Sequence, residues 1–184
     1  GTQNTAVGYS ALYANSNGIG NVAVGGSALE FNIGGDQNVA VGLFALYRNT
    51  SGDYNVAIGK DALSFNTTVS QLTAVGYQAL SNNTSGEETV AVGYQALGAN
   101  TSGQDNTAVG WQSCQGVTIG SGNTALGRAT LSSNGTGDYN TAIGFNALIS
   151  LDDVSNNTAV GANCLQANVT GTGNVGLGFA SLFS

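Results

Sequence analysis

The chain has 184 residues, with 29 Gly, no Pro, no Met and no His, and three Lys or Arg against ten Asp or Glu, for a formal net charge of −7. So sparse a basic inventory argues against nucleic acid, whose phosphates need clustered Lys and Arg, and against docking on an anionic membrane surface. No apolar run approaches the ~20 residues of a membrane helix, and without His neither a Ser-His or Cys-His pair nor a Cys/His metal site can be built. No catalytic residue, metal, cofactor or membrane insertion is therefore expected.

One phrase orders the chain from the N-terminus onward: Asn-Thr/Val-Ala-Val/Ile/Leu-Gly, first met at Asn4–Gly8. Its glycine returns at Gly8, Gly25, Gly42, Gly59, Gly76, Gly93, Gly110, Gly127, Gly144, Gly161 and Gly178, always 17 residues apart. A fixed period of this length marks a solenoid. In each coil the Thr/Val-Ala-Val stretch is β-branched and sorted with period two, which predicts a short strand. The Ala and Leu that follow the glycine predict a second strand. The Asn at Asn15 and its equivalents, then a glycine such as Gly18, predict tight corners with left-handed backbone. A Gly or Asn every few residues and the absence of a 3.6-residue pattern exclude helix.

The expected fold is all-β, a parallel β-solenoid (β-roll) of eleven 17-residue coils, on the order of 50 Å long at ~4.8 Å per coil. Residues 1–184 form a single repeat array. Gly1 is already in phase with Gly18, and the closing run Ala180–Ser184 stops partway through a coil. Neither end reads as a cap of the kind solenoids need, so an uncapped segment of a longer fibre is expected. Cys114 and Cys164 lie about three coils, on the order of 14 Å, apart, too far for an internal disulfide.

Period-two geometry puts Thr5 and Val7 on one face and Ala6 and Gly8 on the other. We expect Ala6 and Gly8 to face the lumen, with Leu12 filling the space they leave, although the period alone equally admits the inverse. The other face then forms a long stripe of Val, Ile, Leu and Thr, too large to leave wet. Ordering a coil costs more than two buried aliphatics return. Both arguments point to self-association.

The phrases NTAVGYSAL (4–12), NVAVGLFAL (38–46), TAVGYQAL (73–80), VAVGYQAL (90–97) and NTAIGFNAL (140–148) resemble the head repeats of YadA-type trimeric autotransporter adhesins. They are equally similar to the repeat arrays of phage tail fibres and long bacterial surface proteins. The resemblance covers the whole chain. It implies a left-handed β-roll, three chains side by side, and an extracellular position on a cell surface or virion. The 17-residue repeat is longer than that of the adhesin heads. Their neck, coiled-coil stalk, membrane barrel and folding chaperone have no counterpart in these residues.

Three rows of side chains are candidate sites. Tyr77, Tyr94 and Trp111 fall at one position of successive coils and predict a surface aromatic ladder. It would either stack on sugar rings or, as we favour, steady the corner or pack against a neighbouring chain. Glycosylation sequons occur at Asn49, Asn66, Asn82, Asn83, Asn100, Asn134, Asn156 and Asn168. Six of them (Asn49, Asn66, Asn83, Asn100, Asn134 and Asn168) share one slot. They form either a glycan-bearing edge or an asparagine ladder, and the ladder is favoured because glycans ~4.8 Å apart would crowd. Asp36 and Asp53 occupy one turn slot, ~5 Å apart, the separation of a retaining glycosidase pair. Solvated turn acids are the better reading.

The expected function is a non-enzymatic extracellular fibre segment, structural or adhesive, whose partners are sister chains in a trimer and a host surface or glycan. The alternative is a subunit of a filament that stacks end to end. An ice-binding face, weakened by Val in five of the eleven leading slots, and a glycan depolymerase built on Asp36 and Asp53 rank lower.

Overall fold

A computed structural model describes residues 1–182, so Phe183 and Ser184 of the closing partial coil lie outside the described residues. It contains eleven three-residue strands, from β1 (Thr5–Val7) to β11 (Val175–Leu177), one per copy of the phrase. They pair in chain order as one parallel sheet in strict 17-residue register: Thr5 opposes Val22, Ala40 opposes Ala57, and Val160 opposes Leu177. No helix occurs among the described residues. The chain is a parallel β-solenoid, as its period requires.

The central Ala of each strand points inward and is fully buried from Ala23 to Ala159, while its Thr or Val and Val, Ile or Leu neighbours stay partly exposed. Leu29, Leu46, Leu63, Leu80 and Leu97 face these alanines from the far side of the lumen, also fully buried. Small residues on one wall leave room for large ones on the other, which keeps the narrow interior dense.

The opposite wall is not the second strand that alternation suggests. It is a run of turns in which every second residue has left-handed backbone: Ser10 and Leu12 have φ of 53° and 54°, and the leucines of later coils lie between 49° and 54°. Such conformations cost of order 1–3 kcal/mol per non-glycine residue. Hydrogen bonds between coils hold them. The Leu12 N–H donates to Ala28 O at 3.0 Å in the next coil, and the Ser27 N–H donates back to Tyr9 O at 2.8 Å. The intervening donors close local turns, as from the Tyr13 N–H to Ser10 O. Alternating backbone handedness thus sends every second N–H to a neighbouring coil.

The glycines also serve a different purpose from the one expected. Gly8 does not face the lumen. The phrase glycines have φ between 113° and 137°, and a Cβ on Gly42 would lie 2.7 Å from both C and O of Gly59. The glycine is required because coils touch backbone to backbone at this corner. At the other corner neither Asn15 nor Gly18 has positive φ. There the left-handed residue is the one before the phrase, such as Gln37, Tyr54 or Gln71.

Coil eleven tests the packing rule. Cys164 occupies an Ala position of the far wall, and Gly176 replaces the strand Ala that would face it. A Cβ on Gly176 would sit 2.5 Å from Cys164 Sγ and 3.1 Å from Leu165 Cγ. Gly176→Ala alone should therefore destabilise by about 1–3 kcal/mol. Adding Cys164→Ala recreates the Ala-Ala pair of other coils and should recover most of that loss. A double-mutant cycle read by denaturant unfolding checks it, and additive effects would count against the compensation.

Candidate functional site

Two columns of asparagine run inside the roll and meet at one corner. The first is the phrase Asn, the second the sequon Asn. In the second coil Asn21 Nδ2 and Asn32 Nδ2 donate to the same carbonyl, Gly35 O, at 2.7 and 2.9 Å. One coil on, Asn38 and Asn49 converge on Gly52 O at 2.8 and 2.9 Å. Each column is also bonded between coils over part of its length, with a break in the sequon column at Asn66, whose buried Oδ1 has no partner. Asn38 N–H donates to Asn21 Oδ1 at 2.9 Å, and Asn49 Nδ2 donates to Asn32 Oδ1 at 2.8 Å. Both columns are fully buried through the middle of the roll.

This geometry favours the asparagine ladder at the buried sequons, whereas Asn82 and Asn156 are exposed. The Nδ2 atoms of Asn49, Asn66, Asn83, Asn100, Asn134 and Asn168 all donate to a corner carbonyl at 2.9 to 3.1 Å. The first five side chains are fully buried. An amide so placed cannot carry a glycan in the folded chain. The phrase column lapses at Leu72 and Thr89, and the sequon column at Val117 and Leu151. Asn100, which Val117 follows, keeps a buried Oδ1 without a partner.

The acids of the turn row have a structural task. Asp36 Oδ1 accepts the Ile19 N–H, and Asp53 Oδ1 accepts the Asp36 N–H, each at 2.7 Å. Asp138 does the same for Ser121, and Ser70 and Ser155 substitute with a hydroxyl. Each side chain caps the coil before it. No cluster of three or more metal-ligating His, Cys, Asp or Glu occurs among the described residues. Cys114 and Cys164 are both free and buried, and burial pushes the Cys114 thiol up to about 12, which keeps it protonated and unreactive at neutral pH.

The aromatic row forms a continuous column. Tyr77 stacks on Tyr94 at 5.2 Å with the rings 12° apart, and Tyr94 on Trp111 at 6.0 Å and 10°. Lys60 Nζ lies 5.4 Å from the Tyr77 ring centre, and Arg128 is held between Trp111 and Phe145 at 4.8 and 5.4 Å. The Asp61 carboxylate, 3.1 Å from Lys60, holds that ammonium above its ordinary pKa by hydrogen bond and then by charge. The three rings stack on one another and cations lie at both ends, so their faces are largely occupied although the rings stay partly exposed, which favours a corner-steadying column over sugar stacking. Sequence spacing showed the column but not its cationic caps, although Lys60 and Arg128 share its 17-residue phase.

Beside this column lies a groove of about 660 Å³ that the sequence did not disclose. It opens where Ser64, Ser81, Gly98, Ala99, Gly116 and Ser132 stand in positions that Tyr47 and Arg48 fill in the third coil. A ladder of amides forms one wall: Gln95 Nε2 donates to Gln78 Oε1 at 2.9 Å, and Gln112 and Gln115 both donate to Gln95 Oε1 at 3.0 and 3.1 Å. No family model, curated protein or solved structure matches the chain. The surfaces themselves carry the functional argument.

The asparagine columns should dominate local stability. Asn38→Ala removes a donor to Gly52 O and the acceptor of the Asn55 N–H, which Asn38 Oδ1 receives at 2.8 Å. The expected loss is about 2–4 kcal/mol. Hydrogen exchange of the Asn55 amide checks it, and unchanged protection would contradict the assignment.

Proposed function

We propose that the chain is a non-enzymatic fibre segment whose sheet face packs against parallel copies of itself in an extracellular assembly. The observation that carries this reading is the outer face of the eleven-stranded sheet. Its Thr, Val, Ile and Leu side chains repeat at the coil spacing and remain partly exposed, with Ile58 at 40% and Leu126 at 47%. A partner matching that row coil for coil needs the same repeat, which another copy provides.

The two long edges of the face are chemically unlike. Arg128 lies on the edge just after the phrase glycine, as does Lys60, whose charge is paired with Asp61. Asp36, Asp53, Glu87, Glu88, Asp105 and Asp138 lie on the edge just before the phrase. Parallel copies bring basic edge to acidic edge, whereas antiparallel copies oppose like edges. Charge therefore favours parallel association. The number three comes from the resemblance to trimeric adhesin and tail-fibre repeats.

Sedimentation equilibrium should give three times the 18.3 kDa chain mass. Val90→Glu, on the partly exposed side of its strand, should shift the mass toward one chain without unfolding the roll. A wild-type mass of 18.3 kDa would overturn the proposal, and a polydisperse series would favour end-to-end filaments instead.

A further inference from the structure

The groove beside the glutamine ladder is the strongest surface feature that self-association leaves unused. The sheet and the turn wall face each other across the lumen, since a Cβ on Gly176 would point at Cys164 and Leu165. The groove opens on the outside of the turn wall, so packing of the sheet face leaves it open. It runs along the rod across several coils, from Phe65 to Ser132.

Its unused hydrogen-bonding groups are planar and of both kinds. Gln78 Oε1 accepts from Gln95, while Gln78 Nε2 donates to no protein atom among the described residues. Asp61 contacts Lys60 through Oδ2. Asn82 is exposed on the rim, its Nδ2 bonded to Gly98 O at 2.6 Å and its Oδ1 free to accept. Phe65 adds an aromatic edge, with Arg48 4.4 Å from its ring centre. Donors and acceptors on rigid amides and a carboxylate, beside an aromatic edge, suit a ligand dense in hydroxyls, because each hydroxyl both donates and accepts.

Other ligand classes fit less well. Backbone N–H groups beneath the groove are spent between coils, as from Leu80 to Ala96 O and from Ala99 to Gln115 O, so a peptide strand has no edge to extend. The Lys60 charge is paired with Asp61 and the chain is net acidic, which disfavours polyanions.

We propose that this groove binds an unbranched neutral oligosaccharide lying along the rod axis. Gln78, Asp61 and Asn82 contact its hydroxyls, and Phe65 meets a ring edge.

The test is titration of the 184-residue chain, in its assembled state, with cellotetraose, maltotetraose, laminaritetraose and chitotetraose. Sialyllactose and a heparin tetrasaccharide serve as anionic controls, and binding is read by saturation-transfer NMR and calorimetry. At least one neutral tetrasaccharide should bind with a millimolar or tighter Kd. Gln78→Ala should weaken it by about tenfold or more. Ser81→Tyr and Asn82→Phe should abolish it by restoring the bulk that Tyr47 and Phe65 place in the same two columns. Because those residues are already accommodated there, both variants should keep the wild-type circular dichroism and mass. No binding by any neutral tetrasaccharide, tighter binding of an anionic control, or binding that survives both filling variants would overturn the proposal. The assembly mass is measured separately, so a failure of the groove is distinguishable from a failure of the fibre reading.

Discussion

The fold depends on corner carbonyls such as Gly35 O, Gly52 O, Val69 O and Gly137 O, each of which receives one carboxamide from each asparagine column, while Gly86 O and Gly103 O, in the coils where Leu72 and Thr89 replace the phrase Asn, receive one. A roll this narrow has little apolar volume, and its alanines and leucines fill only the middle. The asparagines do what a larger core does elsewhere. They tie wall to wall through the shared carbonyl and coil to coil through their own column. A buried amide is costly unless bonded, so the same residues that stabilise the correct stacking penalise any slip of phase. The strict 17-residue register follows from that constraint.

The constraint also accounts for the strained backbone of the turn wall. Leucine at φ near 50° is unfavourable in isolation. It persists because the alternative would orphan its N–H, which points to the next coil. The strain is distributed evenly, twice on the turn wall of every coil, and is compensated by contacts made only in the stack. The surface then sorts into separate tasks: an apolar sheet face, an acidic edge that caps coils, an aromatic edge closed by Lys60 and Arg128, and a polar groove on the far wall.

Much of this was legible in residue spacing. The glycine period gave the parallel solenoid, the period-two sorting put Ala on one face while leaving open which face lines the lumen, and the 17-residue phase of Tyr77, Tyr94 and Trp111 predicted their stacking. What escaped was non-local. The second strand was inferred from Ala-Leu spacing, but nothing in a single coil reveals that Leu12 donates to Ala28. Left-handed backbone was assigned to Asn15 and Gly18 by residue type, whereas neighbouring coils impose it on Ser10, Leu12 and Gln37. Gly8 is placed in the lumen by carrying alternation one position too far; it marks a contact with Gly25. The groove escaped because it is an absence of bulk, visible only when Ser81 and Gly98 are seen in column with Tyr47.

Side-chain amide exchange is the most direct probe of the paired columns. Followed by NMR in deuterated solvent, the Nδ2 protons of Asn21, Asn32, Asn38 and Asn49 should persist far longer than those of Asn17, which is exposed. If all five exchange at one rate, the columns are not closed and the account of the fold is wrong.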